Sequence, residues 1–116
     1  VPIDRISDLV ARIEEISQKW GYKIVTFGHA GDGNAHVDIL KEDKSDERWK
    51  SDIDGIISDI LDAAIELDGT ITGEHGIGQT KNKYLAKQFP QGQIELFRQI
   101  KNAFDPKNIL NPAKAL

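Results

Sequence analysis

The sequence contains no cysteine. That excludes disulfides, thiolate metal ligands and a cysteine nucleophile, and it fits a reducing, cytoplasmic compartment. Methionine is absent too, even at the first position, so the expectation is a piece of a longer protein. No apolar run approaches the ~18 residues of a transmembrane helix, and the N-terminus lacks the basic and apolar regions of a signal peptide. Nor is there a positive excess: 15 Lys and Arg face 19 Asp and Glu, a formal charge of −4. With no basic stripe to replace phosphate counterions, nucleic acid is not an expected partner, and neither is an anionic membrane surface. Histidine is scarce, with three in 116 residues, and where those three fall is the most informative feature of the chain.

What remains has the composition of an ordinary globular protein, 39% hydrophobic and 29% charged, and the length of one domain, 1–116. Ile3, Ile6, Leu9, Val10, Ile13, Ile16 and Trp20 recur at three- and four-residue intervals and predict a helix over 3–20. Asp4 or Ser7 is expected to cap it, and Gly21 to follow it as the left-handed residue. Residues 22–29 and 35–40, rich in β-branched and aromatic side chains, read as strands. Residues 41–50 carry mixed charge without apolar period and read as a solvated connection, with Trp49 anchoring the next helix. That helix spans 51–68 and ends at Asp68-Gly69; Thr70-Ile71-Thr72 reads as a third strand. Helices over 81–88 and 91–104 follow, the second with Ile94, Phe97, Ile100, Lys101 and Phe104 along one side, and then an aperiodic tail. The predicted class is α+β: an incomplete ferredoxin-like antiparallel sheet, in the order α-β-β-α-β, followed by C-terminal helices. The missing first strand of that pattern leaves an edge for a preceding segment, a partner chain in a homodimer joined through the sheet, or a rearranged strand order.

All three histidines lie in two glycine-dense stretches, Gly28-His29-Ala30-Gly31-Asp32-Gly33-Asn34-Ala35-His36 and Gly73-Glu74-His75-Gly76-Ile77-Gly78. Asp32-Gly33 is the pair a two-residue hairpin turn prefers. Such a turn places His29 opposite His36, with Cβ atoms about 4.5–5.5 Å apart on one face, so both imidazoles can converge on one ion. His29, His36 and Glu74 then form a two-histidine, one-carboxylate ligand set. It suits a borderline divalent ion such as zinc, manganese or iron, the first two best. At a strand end, neighbouring side chains diverge. His75 is thereby left as a base, the role imidazole serves near neutral pH. Asn34 is placed to donate a hydrogen bond to a bound carboxylate, and Asp38 ranks behind Glu74 as a further ligand. Taken singly, each feature is commonplace: a hairpin turn, a Gly-x-Gly turn, a surface histidine. The residues alone therefore leave open a metal or acid–base site, such as that of a stand-alone metal-dependent hydrolase in which Glu74 or His75 activates water, and a non-catalytic domain whose glycine loops are only turns.

The two stretches, together with Lys81 and with Ile109-Leu110-Asn111-Pro112-x-Lys114, resemble in order the C-terminal part of FAD-linked oxidases such as the glycolate oxidase FAD subunit, D-lactate dehydrogenase and D-2-hydroxyglutarate dehydrogenase. The resemblance covers residues 1 to 116. It implies the C-terminal portion of a two-part enzyme whose FAD-binding domain, on the same parent protein, lies outside this chain. It also implies a small 2-hydroxy-acid substrate, a divalent metal at His29, His36 and Glu74, and His75 as the base that takes the hydroxyl proton while hydride goes to the flavin. The tail from Asn111 to Lys114 is implied to pack near the FAD domain, with Asn111 and Lys114 on the cofactor side. Two departures stand out: Val37-Asp38 where relatives often have Pro-Asn, and Ala113 where they often have glycine. There is no dinucleotide fingerprint, so no redox turnover is expected of these residues in isolation.

Overall fold

Residues 3–20 form the predicted amphipathic helix, entered through a 3₁₀ turn at Ile3–Arg5 and continuing as α1 (Ile6–Trp20) in a computed structural model that describes residues 1–116. The expected caps at Asp4 and Ser7 are not used. No side chain caps α1, and Arg5 instead pairs with Asp8 at 2.9 Å across the first turn. Gly21 takes the left-handed conformation (φ 68°) and its N–H bonds the Ser17 carbonyl at 2.9 Å, as expected of a residue closing a helix.

Two strands follow, β1 (Lys23–His29) and β2 (Asn34–Leu40), paired antiparallel. Then comes α2 (Asp46–Glu66), which begins five residues before its predicted start. Ser45 accepts the Arg48 N–H at 3.2 Å, and Asp46 and Glu47 occupy the positive end of the helix dipole. The second half of the mixed-charge stretch is therefore a capped first turn, with Trp49 inside it and its ring 5.9 Å from that of Tyr22. At the far end the left-handed residue is Asp68 (φ 58°), one position before the glycine, whose N–H bonds the Ala64 carbonyl at 2.8 Å.

The chain divides into two compact units, Val1–Thr70 and Ile71–Leu116. In the first, Leu9, Ile13 and Ile16 of α1 meet Ile56, Ile60, Ala63 and Ala64 of α2, with Tyr22 buried among them. Ile24, Ala35, Val37 and Ile39 line the hairpin face that packs against this cluster. Ile3 and Val10, counted in the apolar stripe, are exposed instead. Arg12–Glu66 and Lys19–Asp59, each 2.7 Å, tie the two helices at the surface, and the Trp20 indole N–H reaches Asp59 at 2.6 Å. Exposed pairs of this kind contribute little, roughly 0–1 kcal/mol each, so burial of the aliphatic cluster holds the unit together.

The second unit corrects the sequence reading at its start. Thr70-Ile71-Thr72 joins no ladder, and the sheet has two strands only. The Ile71 N–H is satisfied by the Gln88 side-chain carbonyl at 3.0 Å, which removes the need for a strand partner. The result is an α+β chain with an incomplete antiparallel sheet followed by helices. A 3₁₀ turn at Asn82–Tyr84 leads into the short α3 (Leu85–Gln88), Pro90 precedes the first turn of α4, and α4 spans Gln91–Phe104 as predicted. Ile94 is its buried residue, and Phe97 meets Phe89 edge to face at 5.3 Å. Ile100 and Phe104, on the same stripe, are not buried with them: they are 50% and 84% exposed. No helix is long and apolar enough to cross a membrane.

Candidate functional site

The hairpin that carries His29 and His36 does not turn at Asp32-Gly33 alone. Ala30–Asp32 form a 3₁₀ turn closed by Gly33 (φ 68°), whose N–H bonds the Ala30 carbonyl at 3.3 Å. Four residues therefore connect the strands. The register follows: His29 opposes Asn34, Phe27 opposes His36, and Val25 opposes Asp38. The expected His29–His36 pairing is wrong by two positions. Because side-chain direction alternates with period two, an even shift leaves both imidazoles on the same face, and they become diagonal neighbours. Their ring centroids lie 6.1 Å apart, nearly perpendicular, and a ring nitrogen of each lies within 4.8 Å of the other. Two ligands of one ion at about 2.0–2.1 Å each stand no more than about 4 Å apart. The 4.8 Å limit is close to that span, which makes the two imidazoles candidate ligands of one ion.

The hairpin's two faces are chemically distinct. Ile24, Ala35, Val37 and Ile39 face the core, while Val25, Phe27, His29, Asn34, His36 and Asp38 share the other face. Phe27 is 54% exposed and stacks on His36 at 5.2 Å with an interplanar angle of 17°, which fixes the orientation of that imidazole. Gly28 makes the close strand pairing feasible. A Cβ there would stand 2.4 Å from the Asn34 carbonyl oxygen, and its φ of 152° is one that side chains rarely adopt.

Glu74 and His75 lie in the second unit, in a stretch with no strand or helix. The divergence expected of neighbours at a strand end does not apply: His75 Nε2 stands 3.6 Å from Glu74 Oε1. Both side chains are largely exposed. The path beyond them bends through left-handed glycines, Gly76 (φ 72°) and Gly78 (φ 55°), each with open space where a Cβ would go. Conformation rather than crowding selects glycine there. The Thr72 hydroxyl donates to the Gly76 carbonyl at 3.1 Å, and the Lys81 N–H to that of Ile77 at 3.2 Å. Lys81 itself is partly buried, and desolvation pushes its ammonium below the usual lysine value.

Asn111 and Lys114 sit in the exposed tail, joined by a Lys114 N–H to Asn111 carbonyl bond of 3.3 Å. What holds the tail in shape is a residue that sequence reasoning passed over as a helix terminator. Asp105 is only 5% exposed. Its carboxylate accepts the Ile109 N–H at 3.0 Å and the Leu110 N–H at 2.9 Å and forms an ion pair with Lys101. The Lys101 ammonium first, and then the two amides, hold its carboxyl below the usual range against the opposing effect of burial. The signal available in sequence was an aspartate at a helix end followed by proline and a run without period.

Comparison with known proteins bears on all of these groups. The family described as FAD linked oxidases, C-terminal domain, matches residues 1–115. The chain is 42% identical to the glycolate oxidase subunit GlcD of Bacillus subtilis over 98% of its length and 24% of that protein's. It is 43% identical to a D-lactate dehydrogenase of Archaeoglobus fulgidus over 100% of its length and 25% of that protein's. It is 37% identical to a D-2-hydroxyglutarate dehydrogenase of Stutzerimonas stutzeri over 80% of its length and 20% of that protein's. The chain thus spans no more than about a quarter of the length of these relatives.

Proposed function

The chain belongs to the C-terminal domains of the FAD-linked oxidases, and from that premise we propose that it is the substrate-binding, metal-bearing cap portion of a longer FAD-dependent D-2-hydroxy-acid dehydrogenase or oxidase, of the glycolate or D-lactate type. The single observation that carries the metal reading is the convergence of His29 and His36 on one face of the hairpin. Glu74 is the carboxylate that completes the ligand set, and zinc or manganese is the ion that two imidazoles and one carboxylate suit. A divalent ion held there supplies Lewis acidity toward the substrate's hydroxyl oxygen.

FAD, bound by the remainder of the parent protein, supplies the hydride acceptor. This chain's own residues do the rest. Asn34, opposite His29 on the same hairpin face, donates a hydrogen bond to the substrate carboxylate. His75 accepts the hydroxyl proton as the C–H bond on the same carbon gives up hydride, so the alcohol becomes the oxo acid by losing one hydride to the flavin and one proton to the imidazole, two electrons and two protons in all. Asn111 and Lys114 face the flavin-binding part of the parent. Exposed apolar side chains of the second unit support such an interface: Leu96, Ile100, Phe104, Ile109 and Leu110 are each at least half exposed. Each hairpin strand also has one unpaired edge, open to a strand from the preceding part of the parent or from a second copy.

The test is His75→Ala in the full-length flavoprotein. The expected result is FAD retained and flavin reduction by glycolate or D-lactate slowed by about 10²–10⁴-fold. Near-normal reduction would remove His75 from the role of base. Chelator-sensitive ester hydrolysis by the chain alone would favour the hydrolase reading instead.

A further inference from the structure

The tail of the second unit is held in an unusual conformation. Asn108, Asn111, Ala113 and Ala115 all have positive φ, between 47° and 68°, and none is glycine. Asparagine tolerates the left-handed region, but for Ala113 and Ala115 it costs roughly 1–2 kcal/mol each, and such residues persist only where surrounding contacts over-determine them. The contacts can be named. At one end the buried Asp105 carboxylate takes the Ile109 and Leu110 amides and the Lys101 ammonium, while the Asp105 carbonyl accepts the Asn108 N–H at 3.0 Å. At the other end the Ala115 N–H donates to the Gly78 carbonyl at 2.7 Å. Gly78 closes the Glu74-His75 stretch, so the tail is anchored at Asp105 and fastened onto the segment that carries the proposed base.

We infer that Asp105 is a positioning residue for the Glu74–Gly78 stretch, acting through the tail it anchors. The stretch has no ladder or helix of its own to fix its path, and the Ala115–Gly78 bond is one that ties it to the tail. Without the two amide bonds at Asp105 the strained tail relaxes, Ala115 leaves Gly78, and the backbone beside His75 loses an anchor. A misplacement of about 1 Å at a reacting group costs on the order of 10²-fold in rate. Asp105 touches neither substrate nor flavin in this scheme. The kinetic half of the inference rests on His75 acting as the base proposed above.

The experiment compares Asp105→Ala, Asp105→Asn and Lys101→Met in the full-length flavoprotein, by amide hydrogen exchange and by single-turnover flavin reduction. Expected for Asp105→Ala is faster exchange at Ile109, Leu110 and Ala115 together with residues 73–78, unchanged FAD content, and reduction slowed about 10- to 100-fold at saturating substrate. Asp105→Asn, of equal size, keeps one amide bond and falls between Asp105→Ala and wild type. It carries the same readouts if Asp105→Ala does not fold. Lys101→Met leaves both amide bonds in place and keeps residues 73–78 protected. Loss of protection confined to Ile109 and Leu110, with 73–78 unchanged, would overturn the inference, and so would wild-type reduction rates in Asp105→Ala. Exchange needs no substrate. If the parent's flavin is not reduced by any 2-hydroxy acid, the proposed function fails while the coupling from Asp105 to residues 73–78 is still decided.

Discussion

The hairpin of the first unit and the Gly73–Gly78 stretch of the second carry the candidate chemistry by opposite means. His29 and His36 are held by a seven-pair ladder, a buried inner face and a Phe27 ring stacked on one imidazole. Glu74 and His75 have no regular secondary structure beneath them, and the carbonyls just beyond them accept bonds from Thr72 and Ala115. The ladder makes its pair of candidate ligands a property of local geometry. In the inference drawn above, the loop's candidate base depends on residues thirty positions away. The difference separates a candidate metal site built on a paired ladder from a candidate base carried on a stretch without regular structure.

The sharpest way to break this comparison is to remove one imidazole from each region of the parent flavoprotein. His36→Ala should cost the metal while the flavin stays bound. His75→Ala should keep the metal and slow flavin reduction by about 10²–10⁴-fold; metal analysis beside stopped-flow reduction reads both. Equal metal loss in the two variants would show that the division of labour is wrong.

Glycine substitutions give the next largest contrast. In Gly28→Ala the new Cβ would stand 2.4 Å from the Asn34 carbonyl, so overpacking should cost about 1–3 kcal/mol and disturb both histidines. In Gly76→Ala the space is open and only φ is unfavourable, so the cost should stay near 1 kcal/mol and leave metal binding intact. Denaturant unfolding with metal titration tests the pair.

A pH series isolates the tail. Asp105 is held below the usual carboxylate range, chiefly by Lys101 and then by two amides. The stability it contributes is therefore fully present above the unfolded value of about 4, and it is lost as pH falls through the lower folded value. Ile109 and Leu110 amide protection, corrected for intrinsic exchange, should fall below about pH 4 in the wild type. In Asp105→Asn it should show no such step.

The smallest effect expected is a gain. Ala113 sits at φ 59°, where resembling proteins often have glycine. Ala113→Gly should stabilise the second unit by roughly 0.5–1 kcal/mol, the left-handed penalty less the added chain entropy, and raise its unfolding midpoint.

The same contrast explains what could be read from residues alone. Amphipathic period and β-branched runs reveal helices, strands and the shared histidine face, because each is set by neighbours in sequence. The hairpin's register escaped by two positions because Asp32-Gly33 suits a two-residue turn, whereas the chain spends Ala30–Gly33 on a 3₁₀ turn; parity rescued the outcome. The third strand failed because Gln88, seventeen residues on, supplies what a ladder would have given Ile71. Asp105 stayed hidden for a similar reason, since its role lies in burial and in amides that a pattern of residue types does not display.

The central claim, that two hairpin imidazoles and one carboxylate share an ion, is tested most directly by X-ray absorption at the metal edge of the full-length flavoprotein, with and without His29→Ala. The account predicts one ion per flavin with two imidazoles in its shell, falling to one imidazole in the variant with a matching loss of affinity. An unchanged spectrum in the variant, or a wild type that holds no stoichiometric metal in the presence of substrate, would contradict it.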